Sequence, residues 1–192
     1  MAIYPGRTRR WTRAEYERLV ELDILHEDDP VELIGGQLIV AEPKGNPHAV
    51  GVGLASEALS LAFGRGWVVR VQDPVALDDE SEPEPDLVVV RGSHRDYLGG
   101  HPDRPVLVVE VAESSLAFDR DHKGSLYARA GLTEYWIVNL VHRVLEVYRE
   151  PIADAAEAFG WRYARREVLD AHESVTPLGG PSVPIPVADL LP

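Results

Sequence analysis

The sequence predicts an α/β (α+β) domain whose elements run helix, β-hairpin, helix, several strands, helix and three further strands. Three observations carry this. Segments of helical period alternate with β-rich segments. Val106 to Val111 reads Val-Leu-Val-Val-Glu-Val, the nearly continuous apolar run of a central strand covered on both faces. Capping and turn signals bound most of the segments. At 192 residues the chain suits a single domain, with a core over about 12–170 and an extended Pro/Gly-rich tail over 171–192.

The elements follow in order. Thr12 and Glu15 have capping-box spacing, so a helix is expected from Arg13 to Leu25, stopped by Asp28-Asp29-Pro30. Val31 to Ile34 and Gln37 to Val40 flank Gly35-Gly36 as a hairpin. Asn46 as cap and Pro47 at the first position open a second helix running to Phe63 and ended by Gly64, which puts His48 in its first turn. Strands are expected at Trp67 to Val71, Leu87 to Val90 and Val106 to Val111. A helix from Asp119 to Ala130 is closed by Gly131, and strands return at Tyr135 to Asn139, Val144 to Arg149 and Trp161 to Arg166.

Composition narrows the chemistry. Apolar residues make up 45% and charged residues 27%, which excludes a disordered or fibrous chain. Cysteine is absent, so any metal must be held by carboxylate, imidazole or carbonyl groups. No apolar stretch approaches the length needed to span a bilayer, and the first residues lack a signal-peptide core, so a cytoplasmic protein with no membrane partner is expected. The net charge of −13 weighs against a nucleic-acid partner, but it is unevenly spread. Asp73, Asp78, Asp79, Glu80, Glu82, Glu84 and Asp86 crowd one segment, whereas Arg7, Arg9, Arg10, Arg13 and Arg18 form a basic amino-terminal group. That group is read either as a phosphate contact or, more simply, as a solvated arm and helix face.

Glu110 is the most informative residue, because an ionised carboxylate inside an apolar strand needs a cation or donor beside it. Asp86 enters the strand that begins at Leu87. Two carboxylates at the ends of neighbouring strands suit a hard divalent ion, which keeps several waters; the alternative is a turn aspartate and a structural ion pair. The chain has 17 arginines and only two lysines, Lys44 and Lys123. A lysine at position 123 is therefore a candidate for a compact ammonium, with Asp119 four residues before it and Tyr127 four after. Spacing alone favours a surface ion pair of Asp119 with Lys123.

Pro85-Asp86, Glu110-Val111-Ala112, Asp119-x-x-x-Lys123-x-x-x-Tyr127 and Gly131-x-x-Glu134-Tyr135-Trp136, in this order, resemble the Uma-type family of restriction-endonuclease-like proteins, a branch of the PD-(D/E)XK nuclease superfamily. The hairpin Glu32-Leu33-Ile34-Gly35-Gly36-Gln37-Leu38 and His48 match that family as well. The resemblance implies a restriction-endonuclease-like core, a mixed central β-sheet flanked by helices with the metal site at the strand ends, and a metal-dependent endonuclease acting on nucleic acid, DNA foremost, with a homodimer as a further expectation. It implies Asp86, Glu110 and the Val111 carbonyl as ligands of Mg2+ or Mn2+, with Lys123 acting on the attacking water or the developing charge. Glu32 would bind a second ion or position Lys123, and His48 and Tyr127 would lie on the substrate side. The usual superfamily lysine, two residues after the second acid, is here Ala112, its charge moved to Lys123, and Asn139 stands where relatives often have aspartate. Two other readings remain open: a non-catalytic regulatory or interaction protein on the same scaffold, and a metal-dependent hydrolase of small phosphoesters.

Overall fold

A computed structural model describes residues 8–26, 29–41 and 44–192. Asp28, expected to help stop the first helix, and Arg7 of the basic group lie outside the described residues. Helix α1 (Arg13–Glu21) begins with the predicted capping box, in which the Thr12 hydroxyl accepts from the Glu15 amide and the Glu15 carboxylate accepts from the Thr12 amide. It ends at Glu21, with Leu22 as its cap, rather than at Leu25. Asp23 turns into the left-handed region at φ 57°, and Leu22 and Ile24 face solvent, so the apolar pattern beyond Glu21 found no core to bury it.

Strands β1 (Val31–Ile34) and β2 (Gln37–Val40) pair antiparallel as a hairpin. Gly35 and Gly36 form its turn at φ 55° and 77°, the conformation a two-residue loop demands. Helix α2 (Asn46–Phe63) is capped by Gly45 rather than Asn46, so Asn46 and Pro47 are its first two residues. Neither position needs an intrahelical partner for its amide, which is why proline is tolerated there.

The central sheet orders its strands β3-β4-β5-β6-β7-β8. They are β3 (Trp67–Val71), β4 (Leu87–Arg91), β5 (Leu107–Ala112), β6 (Glu134–Asn139), β7 (Val144–Ala153) and β8 (Trp161–Leu169). Only β5 and β6 run parallel, and a parallel pair requires a crossover. The crossover is one continuous helical segment: α3 (Leu116–Phe118), a π turn (Asp119–Lys123) and α4 (Gly124–Arg129). It starts three residues before the expected Asp119 and departs from α geometry in its middle. Gly131 at φ 76° closes it. The last two long strands outrun their expected ends, Arg149 and Arg166, because β7 and β8 pair with each other from Leu145 with Leu169 to Ala153 with Trp161.

Side chains alternate across the sheet. Leu87, Val89, Leu107, Val109, Val111, Trp136 and Val138 pack on one face against Val52, Ala55, Leu59 and Phe63 of α2. Val88, Val90, Val108, Ala112, Tyr135 and Ile137 pack on the other against Tyr127 and Ala128 of α4. Glu110 lies between Val109 and Val111 and so falls on the α4 face. The carboxy-terminal stretch, expected as an extended tail, builds structure of its own: β9 (Ser174–Val175) pairs with β10 (Ile185–Pro186), and a 3-10 turn follows at Val187–Leu190. Val175, Ile185, Val187, Leu190 and Leu191 join the α2-side core.

The acidic segment before β4 is docked rather than splayed into solvent. The Glu82 amide donates to the Leu33 carbonyl at 2.7 Å and the Gly35 amide to the Ser81 hydroxyl at 3.1 Å, tying the segment to the hairpin. Its carboxylates meet arginines: Asp78 pairs with Arg129 at 2.5 Å and Glu80 with Arg10. The remaining described amino-terminal arginines are paired likewise, Arg9 with Glu15, Arg13 with Glu17 and Arg18 with Glu21. The described part of the basic group is thus paired with carboxylates at the protein surface.

Candidate active site

The β4–β5 register pairs Leu87 with Val109. One step further along the antiparallel pair brings Asp86 opposite Glu110, where facing side chains share a sheet face. The Asp86 amide donates to Glu110 Oε2 at 3.3 Å. Asp86, only 4% exposed, uses both oxygens. Oδ2 accepts from the Val111 amide at 2.9 Å and lies 3.0 Å from His48 Nε2 on α2, while Oδ1 accepts from Lys44 Nζ at 2.8 Å. Burial alone would raise its pKa, but the His48 hydrogen bond and the Lys44 charge hold it well below the usual aspartate value.

Glu110 is 3% exposed. Its Oε1 accepts from Lys123 Nζ at 3.1 Å and from the Tyr127 hydroxyl at 2.8 Å. Glu32 on β1 approaches Lys123 Nζ from the other side at 3.2 Å, and its Oε2 also accepts from the Glu84 amide at 3.0 Å. Lys123 is therefore not the surface partner of Asp119 that helical spacing favoured. It is 5% exposed, and Asp119 instead accepts from the Ser115 hydroxyl at 2.6 Å.

The π turn explains how one helix delivers both side chains. The Gly124 amide reaches back five residues to the Asp119 carbonyl, which also accepts from the Tyr135 hydroxyl at 3.1 Å. Insertions of this kind re-aim side chains and recur at functional sites.

A cleft of ≈ 310 Å³ opens onto this group, lined among others by Glu32, Lys44, His48, Glu84, Asp86, Glu110, Asp119 and Lys123. Five of these eight are carboxylates against two ammonium groups. Burial, only partly offset by Lys123, pushes Glu110 above the ordinary glutamate range, with Asp119, Asp86 and Glu32 adding to the rise. Burial and the charge of Glu32 push Glu84 up to about 7. Burial alone would lower Lys123, yet Glu110, Glu32 and Asp119 carry it far above the ordinary lysine value, so its ammonium stays charged. The carboxylates of the cleft outnumber its ammonium groups.

Among the described residues no three His, Asp or Glu side chains form a group that could hold a metal ion. The donors on hand are two hard carboxylates at adjacent strand ends beside an acidic cleft. That set suits an ion such as Mg2+, which takes one or two protein carboxylates and retains waters, rather than one that needs a full cage.

The sequence-derived candidates Asp86, Glu110, Lys123, Glu32, His48 and Tyr127 all converge here. Two of them stand differently from expectation. His48 bonds Asp86, and Tyr127 is fully buried behind Glu110 and is not among the residues lining the cleft. Asn139 bonds Glu146 at 2.7 Å, away from the cleft. Sequence reasoning passed over Lys44 and Glu84. For Lys44 the signal was there, since it is the other of the chain's two lysines.

A family model described as "Putative restriction endonuclease", Uma2, matches residues 13–188. The chain belongs to the Uma2 family. A solved structure supports the fold: the crystal structure of "a putative nuclease belonging to DUF820" from Anabaena variabilis is similar at a TM-score of 0.64 and 16% identity, covering 90% of this chain and 96% of that one. The mixed sheet with flanking helices in this Uma2 chain is the restriction-endonuclease-like fold. No curated protein matches it. Among the described residues of this Uma2 member, no helix is long and apolar enough to cross a membrane.

Proposed function

We propose that this chain is a metal-dependent endonuclease that hydrolyses phosphodiester bonds of nucleic acid, with DNA as the substrate. The observation that carries this reading is the buried ammonium of Lys123, 3.1 Å from Glu110 on the strand beside Asp86. It supplies from a helix the charge that Ala112 cannot supply from the strand. Asp86, Glu110 and the main-chain carbonyl of Val111 would hold Mg2+ or Mn2+. A bound ion of this kind polarises the phosphate and lowers the pKa of an attacking water.

The chain's own residues do the rest. Lys123 orients the water or stabilises charge developing on phosphate oxygen. Glu32 fixes the Lys123 ammonium from the far side, Tyr127 fixes the Glu110 carboxylate, and His48 fixes Asp86, so these three act as positioning residues in this reading. Cutting both strands of a duplex calls for two such sites, which a homodimer would provide. The expected compartment is the cytoplasm.

Calorimetric titration with Mn2+, paired with cleavage of plasmid DNA and of a chromogenic phosphodiester, tests the reading. The parent protein should bind Mn2+ and nick the plasmid, and Asp86→Asn combined with Glu110→Gln should do neither. Equal Mn2+ binding by parent and double variant would contradict the ligand assignment. Turnover of the chromogenic ester with intact plasmid would point to a small-phosphoester hydrolase.

A further inference from the structure

Among the described residues, Lys44 is the one cation of the cleft that the proposed chemistry leaves without a task. It precedes α2, and its ammonium lies 2.8 Å from Asp86 Oδ1. The two oxygens of Asp86 differ in their company. Oδ2 is held from within by the Val111 amide and by His48, a buried side chain. Among the described residues Oδ1 has only Lys44 and, at 3.4 Å, the amide of Gln72, both on exposed side chains. Oδ1 is thus the oxygen held by exposed side chains rather than by buried ones, and Lys44 covers it. The Lys44 side chain is 40% exposed, whereas Lys123 is held between two carboxylates at 7%. One lysine is built in, and the other has a path to solvent.

We infer that Lys44 is a displaceable counter-ion, which neutralises Asp86 in the metal-free protein, yields Oδ1 to the incoming divalent cation, and then contacts a substrate phosphate at the mouth of the cleft. The inference rests on the proposed ligand role of Asp86. Its physical basis is charge. An ammonium and a divalent cation repel each other when both approach one carboxylate oxygen, and a four-carbon stem whose head is in water can move at little cost. Once released, the ammonium stands over a cleft lined by Glu84, Glu113 and Asp119, an acidic rim against which a polyanionic substrate needs a compensating charge.

Mn2+ affinity measured by calorimetry without nucleic acid tests the first half. Lys44→Met should tighten Mn2+ binding about two- to fivefold, the effect of removing a part-exposed competing ion pair. Lys44→Arg should bind no tighter than the parent. Arg104→Met, which removes an exposed positive charge elsewhere, should leave affinity unchanged and so exclude a general charge effect. Fluorescence anisotropy with a non-cleavable phosphorothioate duplex tests the second half: with Mn2+ present, Lys44→Met should bind several-fold more weakly than the parent.

Parent-like or weaker Mn2+ binding by Lys44→Met, in a protein whose binding Asp86→Asn still abolishes, would overturn the counter-ion role while leaving the site reading intact. Unchanged duplex affinity would overturn the phosphate contact. Absence of Mn2+ binding in both the parent and Lys44→Met would overturn the site reading and this inference together.

Discussion

Glu110, Ile137 and Glu146 stand in one row across β5, β6 and β7, and the two carboxylates are almost inaccessible, yet their proton affinities move in opposite directions. Glu110 shares one ammonium with Glu32 and has one hydroxyl, and it rises. Burial alone would also raise Glu146, but it receives Arg120, Tyr148 at 2.7 Å, Asn139 at 2.7 Å and Arg166 at 2.9 Å, and it falls to about 2. The fuller set of cations and donors around Glu146 accounts for the difference. A depressed carboxylate contributes stability that is fully present above its unfolded value, near 4.5, and is lost as pH falls toward 2. Urea unfolding should therefore find Glu146→Gln less stable than the parent by about 2–3 kcal/mol at pH 7, with the gap closing between pH 4.5 and 2. A gap that does not change with pH would mean that the arginines contribute nothing through the ionised form.

At the scale of elements, the site depends on how closely α2 approaches β5. A methyl group built on Gly51 would lie 2.9 Å from Val111 Cγ1 and 3.5 Å from Leu140, whereas one on Gly53 would meet nothing within 4 Å. The two glycines share one helix and one propensity penalty, so they form a matched pair. Gly53→Ala should stabilise the fold by roughly 0.5–1 kcal/mol through helix propensity. Gly51→Ala should lose that gain and about 1–2 kcal/mol more to overpacking, and it should weaken Mn2+ binding because His48 and Val111 sit on the two elements forced apart. Thermal melts and calorimetry of both variants check this, and equal stabilisation by both would show that the approach is not tight.

Long periodic elements were legible because alternation and helical period report which face is buried. That is why α2, β5 and the β1–β2 hairpin lie close to where the pattern put them. Partners across the fold leave no such trace. The docking of Glu80 on Arg10 and of Asp78 on Arg129 joins residues about 50 to 70 apart in sequence, and charge counting alone read both sides as free. The π turn at Asp119–Lys123 depends on a carbonyl accepting from Tyr135, a tertiary contact that overrides the i, i+4 reading of Asp119 and Lys123. Glu110 and Lys123 were legible for a chemical reason: a charge in an apolar run and a lysine among arginines both violate the local pattern.

For the whole molecule, the carboxy-terminal segment belongs to the core. Val175, Ile185, Val187, Leu190 and Leu191 are each at most 7% exposed, and Glu134 anchors the segment by accepting from the Leu178 amide at 2.7 Å. Burying one such side chain stabilises by about 1.5–3 kcal/mol, so five together rival the 5–15 kcal/mol that a domain typically has. A chain ending at residue 170 should show no cooperative thermal transition by circular dichroism. A sharp transition within a few degrees of the parent's would make the segment an appendage.

The central claim is that this fold holds a catalytic site whose essential cation is Lys123. Single-turnover cleavage of a DNA duplex in Mn2+ by the parent, Lys123→Met and Lys123→Arg tests it most directly, with urea unfolding to confirm that each variant is folded. Loss of a donor to the transition state typically costs about a hundred- to a thousandfold in rate, and Lys123→Met should lose that much. Lys123→Arg should also be impaired, because a planar guanidinium does not fit between Glu110 and Glu32 as a compact ammonium does. Parent-like cleavage by folded Lys123→Met would contradict the account.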